Sequence, residues 1–407
     1  MFARIASCAL LLCVPAWAEV AGWRSANATY PDASPPLVWG SDEKPRVVWK
    51  TQVGKSYSSP ILVGDKVLVT AEPSLLLCLD QASGKVLWKA SNGFADLPAG
   101  LNAQEKPVKS NAGNTAATPT SDGQRVWAVF ASGVVACYDM AGARQWVSYF
   151  DLPMQLPFAR SASPILVACP EQGRGGDKLL VTLNHLFALD AKTGKPLWKA
   201  EAVTETYGTP TIARIGDTDV AITPGGYAVR VADGKVLATG IGELKYGTPY
   251  VRDGVAYFIG YDAKAVRLGP IAGEKLETKD LWTAELEGEF FSSPVWHDGL
   301  LTIANDAGML YVLDAKTGKT AVEKELEIPN ASGKPGVPPA HIYPSLVLAG
   351  KHLFVFNDIG TCLVLEPGRE LKQAARNSLP EGAPGTAVFA GKRIFVRGGE
   401  NLYCIGE

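Results

Sequence analysis

Beyond the N-terminal fifty residues, apolar and polar side chains alternate over short runs, each closed by Gly, Pro, Asn or Asp. Gly254-Val255-Ala256-Tyr257-Phe258 and Arg393-Ile394-Phe395-Val396-Arg397 are two of them. A period of two is that of a half-buried strand, and the turn residues leave no room for a helical period to develop. The runs also recur in a fixed order. Ser58-Ser59-Pro60-Ile61-Leu62 leads to Lys66-Val67-Leu68-Val69, then to Leu75 through Asp80, then to Ser83-Gly84-Lys85-Val86-Leu87-Trp88. The same phrase runs from Ala117-Thr118-Pro119 to Trp146 and from Ala162-Ser163-Pro164 to Trp198. Looser copies begin at Gly208-Thr209-Pro210, Gly247-Thr248-Pro249, Ser292-Ser293-Pro294, Ile342-Tyr343-Pro344 and Gly385-Thr386-Ala387. Four strands per copy, eight copies and spacings of roughly 39 to 59 residues predict an all-β chain, an eight-bladed propeller of four-stranded antiparallel blades.

The eighth copy runs out after its third strand, whereas Arg46 through Val53 near the N-terminus is a fourth-strand phrase with no blade of its own. Pairing the two closes the ring and leaves no open sheet edge at the seam. This divides the chain into residues 1–18, an N-terminal extended segment 19–44 and a propeller over 45–407. Trp88, Trp146 and Trp198 each follow a turn glycine by four residues, with Trp49 and Trp282 at equivalent outer strands. Blades four, six and seven carry Ala238, Val322 and Lys372 there. An indole buries roughly 150 to 250 Å², so these rings are expected to pack between neighbouring blades. Asp80, Asp190 and Asp314 precede the turn glycines and are read as turn caps.

The first eighteen residues place Arg4 before the apolar run Ile5 to Val14 and end on Ala16-Trp17-Ala18, the sections of a secretory signal. Cleavage after Ala18 and a periplasmic or secreted location are expected. A lipid anchor at Cys8 is disfavoured by the few residues before it. No later stretch reaches the roughly 20 apolar residues of a spanning helix. With 39 basic and 41 acidic residues the net charge is −2, so no broad field favours nucleic acid. Of seven cysteines, Cys78, Cys137, Cys169, Cys362 and Cys404 lie beyond the signal. Cys78, Cys137 and Cys404 fall in third strands and are read as small buried hydrophobes; Cys169, in a polar loop, is read as the reactive one.

The repeated phrase resembles the tryptophan-containing repeat of pyrroloquinoline-quinone (PQQ) dehydrogenases and of the non-enzymatic outer-membrane barrel-assembly propeller. The order of Gly22-Trp23-Arg24, Val48-Trp49-Lys50, Tyr57 to Pro60, Cys78-Leu79-Asp80, Asn114 to Gly123 and Arg397 to Ile405 is similar to secreted PQQ-like propellers of planctomycetes and verrucomicrobia. The resemblance implies the fold over nearly the whole chain beyond the signal. The dehydrogenases hold their quinone with two adjacent cysteines, a calcium or lanthanide ion and an aspartate base. Here no two cysteines are adjacent, and no catalytic residue or metal ligand set carries over.

One constellation remains. Three residues before each repeat's proline, at the entry to the innermost strand, stand Tyr57, Tyr207, Tyr246, Phe291 and His341, with Ala116, Ser161 and Pro384 in the other copies. Arg160 and Lys245, one step earlier, would add positive charge. Such a ring surrounds one mouth of the central channel and suits a planar or sugar-like ligand; the competing reading makes the aromatics wedges between blades. The loops Ser91 to Gly113 and Asp151 to Arg160 are further candidates for recognition. The leading reading is a monomeric, exported, non-catalytic binding or assembly scaffold that takes a protein, small-molecule or glycan ligand at a propeller face. The alternatives are a small quinoprotein dehydrogenase using PQQ with calcium, or a carbohydrate-binding propeller.

Overall fold

A computed structural model describes residues 21–40, 46–101, 103, 106, 108–153, 157–168, 176–205, 207–327 and 340–407. The signal segment, its cleavage point and Cys169 lie outside them.

Eight antiparallel sheets form a ring, as the repeat predicts. In blade one Ile61–Val63, Lys66–Ala71, Leu75–Asp80 and Val86–Ser91 pair in sequence order from the axis outward. Blades two and four to seven repeat that order. In blade three Lys178–Asp190 supplies both middle strands, turning back at Asn184 (φ 64°), so that the Ala191 amide meets the Asp177 carbonyl at 3.0 Å. Blade eight is closed as expected: Val47–Gln52 pairs antiparallel with Asn401–Gly406, Trp49 opposite Cys404 and Gln52 opposite Asn401.

Three layers of contact hold the ring. The innermost is a belt of hydroxyls, one per blade, at the start of each first strand. The Ser59 amide donates to Thr118 Oγ1 at 3.0 Å, Thr118 to Ser163 Oγ at 3.0 Å, and Ser163 to Thr209 Oγ1 at 2.9 Å. From blade five, Thr248 donates to Ser293 Oγ at 3.0 Å, Ser293 to Ser345 Oγ at 3.0 Å and Ser345 to Thr386 Oγ1 at 2.9 Å. Thr386 returns to Ser59 Oγ at 3.1 Å, across the seam. Each link satisfies a buried backbone amide with the neighbouring blade's side chain, which fixes the register between blades.

The middle layer is apolar, with clusters shared between adjacent sheets. Cys78, Cys137, Cys362 and Cys404 are fully buried in it as free thiols. Burial pushes the thiols of Cys78 and Cys404 up to about 11 and that of Cys137 up to about 12.

The outer layer is the tryptophan contact, which lies between blades. Trp49, Trp88, Trp146, Trp198 and Trp282 donate their indole N–H to the carbonyls of Gln81, Met140, Ala191, Val231 and Ala315 in the following blade, at 2.9 to 3.1 Å. The expected aspartate caps are present: Asp80 Oδ1 accepts from the Ser83 amide at 2.8 Å, Asp190 Oδ1 from Thr193 at 2.7 Å and Asp314 Oδ1 from Thr317 at 2.9 Å.

At the seam, Arg397 is fully buried and faces no carboxylate. It donates to the carbonyls of Gly54 at 2.8 Å, Ser58 at 3.2 Å and Thr70 at 2.6 Å, tying blade eight to blade one. Desolvation pushes its guanidinium down to about 10.

The N-terminal segment does more than extend from the ring. Ala21 bridges to Ser121 on the innermost strand of blade two. Trp23 Nε1 then donates to Thr248 Oγ1 of blade five at 3.1 Å, and Arg24 donates to the carbonyls of Ser293 and Pro294 of blade six. Thr29–Tyr30 adds a parallel fifth strand to the inner edge of blade seven. The segment therefore crosses the bore from blade to blade. It ends with Trp39, 2 % exposed, inserted among side chains of blades seven and eight and stacked on Phe356 at 6.2 Å.

Candidate functional site

The first strands all enter the ring from the same face, so the residues two positions before the hydroxyl belt converge on one mouth. They are Tyr57, Ala116, Ser161, Tyr207, Tyr246, Phe291, Tyr343 and Pro384, and all eight line a cavity of about 320 Å³. Tyr57, Tyr207, Tyr246 and Phe291 stand where the sequence places them.

His341 does not. In blade seven the belt hydroxyl is Ser345, which follows Pro344 rather than preceding a proline. Counting back from Pro344 thus misplaces the mouth position by two residues, and Tyr343 occupies it. His341 stacks behind Tyr343, with ring centroids 5.2 Å apart and planes at 13°, and its Nδ1 lies 3.5 Å from Asp306 Oδ2.

Nor does Arg160 add charge to the mouth. It is 1 % exposed, and its guanidinium donates to Ala131 O at 2.8 Å, Pro153 O at 2.5 Å and Asn184 Oδ1 at 3.0 Å. A charge desolvated this far is anchored to backbone, and its partners show what it anchors: the loop that carries Phe158. Lys245 is on the rim, its ammonium 4.9 Å from the Tyr246 ring centroid and 3.5 Å from Glu289 Oε1. The Tyr246 phenol and then Glu289 hold that ammonium above its usual range.

The aromatics form one run around half the mouth. Tyr207 meets Tyr246 at 5.3 Å, Tyr246 stacks on Phe291 at 4.2 Å with planes at 20°, and Phe291 meets Tyr343 edge-on at 5.0 Å. Each of these rings packs on the next blade's ring and also lines the cavity. Tyr57, at 45 % exposure, stands apart from the run.

The loop that carries Phe158 was expected to carry recognition, but its place in the site, like that of Trp23, was not read from the sequence. Phe158 reaches over the mouth and touches Tyr207, Tyr246 and Phe291 edge-on at 5.9 to 6.2 Å. Its loop is tied to the other long loop, since the Asn111 amide donates to Pro157 O at 3.0 Å and Lys106 pairs with Asp151. The two loops expected to carry recognition thus make one roof, and Asn111 and Ala112 join the lining. The floor is Trp23, which also lines a second cavity of about 170 Å³.

Beside the mouth, Glu205 accepts from the Gly225 amide at 2.9 Å. Burial pushes its carboxyl above the usual range, against the lowering pull of Thr223 and Gly225.

Residues 37–243 match the family model described as outer membrane protein assembly factor BamB. The chain belongs to that family of PQQ-repeat propellers. BamB from Moraxella catarrhalis superposes with a TM-score of 0.61 at 12 % identity, covering 89 % of this chain and 97 % of that one. Saccharomyces cerevisiae Sqt1 gives 0.60 at 9 % identity, over 88 % and 97 %. A europium-containing methanol dehydrogenase gives 0.54 at 13 % identity, over 86 % and 84 %. At these identities the superpositions establish the fold alone. No curated protein matches the chain.

PQQ carries three carboxylates, and the quinoprotein dehydrogenases that the repeat resembles hold it with a calcium or lanthanide ion. The mouth of this BamB-type propeller does not fit that pair. Among the described residues, no Asp, Glu, Arg, Lys or His lines the cavity, and no cluster of three acidic, histidine or cysteine side chains has metal-binding geometry. Three carboxylates would enter a site with no cation to meet them, and the cation would find no carboxylate.

Proposed function

We propose that the chain is an exported, non-catalytic binding propeller of the cell envelope, and that it takes its ligand in the roofed aromatic mouth. The observation that carries the reading is convergence. Eight equivalent positions, two otherwise unrelated loops and the N-terminal Trp23 all contribute to one blind cavity, and a ring needs no such cavity to be stable. Family membership favours an envelope role, and no helix among the described residues is long and apolar enough to cross a membrane.

The test compares the wild-type chain with a Tyr57→Ala, Phe158→Ala double variant in capture from envelope extract and in dye reduction with PQQ and calcium. Retention of an envelope component that the variant loses, without dye reduction, is the expected result. Quinone-dependent turnover would overturn the reading, as would capture indifferent to the mouth.

A further inference from the structure

We infer that the ligand of this mouth is a neutral saccharide, the end of a glycan or a free mono- or disaccharide. The inference rests on the reading of the mouth as a binding site and adds the chemistry of its occupant.

Charge comes first. The described lining is made of aromatic, hydroxyl, carboxamide and small side chains with no ionised group among them. An anionic ligand would lose its hydration on entering and gain no counter-charge. A neutral ligand has no such cost. The charged side chains near the lining, Lys245 paired with Glu289 and the carboxylates of Asp306 and Asp358 next to His341, lie outside it.

Shape and polarity come next. A purely apolar occupant would be expected in a purely apolar pocket. Here rings alternate with hydroxyls: Tyr246 and Phe291, stacked on one another, form part of the wall and Trp23 the floor, while Ser161, the phenol groups and the Asn111 carboxamide stand between them. No hydrogen bond among the described residues uses the phenolic oxygens of Tyr57, Tyr207 or Tyr343, so each is available both to donate and to accept. A pyranose has the complementary surface, a C–H face on each side to lie on aromatic rings and a rim of neutral hydroxyls that both donate and accept. At about 320 Å³ the cavity is at the lower end of the small-ligand range, enough for a sugar unit or two and too small for a folded partner.

The experiment titrates the full chain with cellobiose, maltose and N,N′-diacetylchitobiose, with a glucuronic-acid disaccharide as the charged counterpart and indole as the hydroxyl-free aromatic control. Heat of binding and intrinsic tryptophan fluorescence are read at low and high salt, and a glycan array extends the panel. We expect at least one neutral saccharide to bind, with affinity unchanged by salt and about tenfold weaker in Tyr57→Ala and in Tyr246→Ala. Tyr57 is exposed and outside the aromatic run, so its variant should keep the wild-type melting temperature and separate lost binding from lost folding. Binding of the charged disaccharide alone, or of indole alone, overturns the saccharide inference. Silence of every sugar together with mouth-dependent capture of an envelope protein overturns it too and leaves the binding-site reading standing. Absence of any mouth-dependent ligand removes both.

Discussion

Trp146 lies directly over Gly194 of the next blade: a β-carbon built on Gly194 would meet indole Cε3 at 2.3 Å. The same relationship joins Trp49 to Gly84, Trp88 to Gly142, Trp198 to Gly234 and Trp282 to Gly318. All five glycines have φ between 71° and 90°, so the turn needs glycine both for its backbone and for the ring above it. The two residues occur together. Blades four, six and seven lack the tryptophan, and in the blades after them no glycine lies under a ring: blade five has the long hairpin Asp262–Ala272 and Lys275–Glu285, whose Gly273 meets nothing within 4 Å, blade seven has a loop at Leu371 whose Gly368 is likewise open, and blade eight has the chain ends. Other groups fill the vacated space. Leu268, Ile271 and Leu276 of the hairpin pack with Leu237 and Ala238, and Lys324 donates to Leu371 O at 2.6 Å. Trp39 enters between blades seven and eight.

A double-mutant cycle tests this pairing. Trp146→Ala should cost about 3 kcal/mol in urea unfolding, and Gly194→Ala about 2 kcal/mol or more from its left-handed backbone and the steric clash. The double variant should fall short of the sum by at least about 1 kcal/mol, since the clash vanishes with the ring. Strict additivity would contradict the contact.

Arg397→Ala should remove the guanidinium donor from three carbonyls at the seam and cost about 3 to 5 kcal/mol. Because its partners Gly54, Ser58 and Thr70 belong to blade one, amide exchange should rise first in Val47–Gln52 and Asn401–Gly406. Uniform loss of protection around the ring would be evidence against a seam-specific role.

Glu205 makes stability depend on pH. Its folded carboxyl lies above its unfolded value, so the folded state binds the proton more tightly and stability declines as pH rises through the window between the two values. Glu205→Gln should abolish that portion of the decline while keeping the acceptor for Gly225. Unfolding midpoints from pH 4 to 8 report it; an unaltered slope in the variant would show that Glu205 is not responsible.

Arg160 and Lys245, adjacent to mouth positions in their own repeats, should differ sharply. Arg160→Met should free the loop at 157–160, increasing proteolysis there and weakening ligand binding with it. Lys245→Ala removes an exposed ion pair and should alter stability by less than about 1 kcal/mol. Equal effects would refute the anchoring role.

The thiols of Cys78, Cys137, Cys362 and Cys404 should resist iodoacetamide at pH 8 until denaturant is added, as burial and raised thiol values both oppose the thiolate. Mass spectrometry of labelled peptides decides; native labelling at any of the four contradicts their placement.

Strand periodicity and turn glycines made the ring, its blade number and the pairing of residues 47–52 with the last blade readable in advance, because these are local patterns repeated many times. The mouth was readable wherever proline marks the register, at Tyr57, Tyr207, Tyr246 and Phe291. It failed at blade seven, where the proline is displaced and only the through-space belt of hydroxyls identifies Tyr343. Arg160 was misread because a charge beside a mouth position has the same sequence whether it points to water or to carbonyls. Phe158 stood out only as part of a candidate recognition loop and Trp23 only through the family resemblance; neither was placed in the mouth, since their places depend on loops tied across blades and on a segment crossing the bore.

That strand 47–52 should complete the final sheet has a consequence for biogenesis. During synthesis the first finished outer strand has no neighbour until nearly all the remaining chain has followed it, so an unsatisfied edge stays open to stray pairing throughout translation. A protein built this way has reason to depend on a holding factor before the ring can lock.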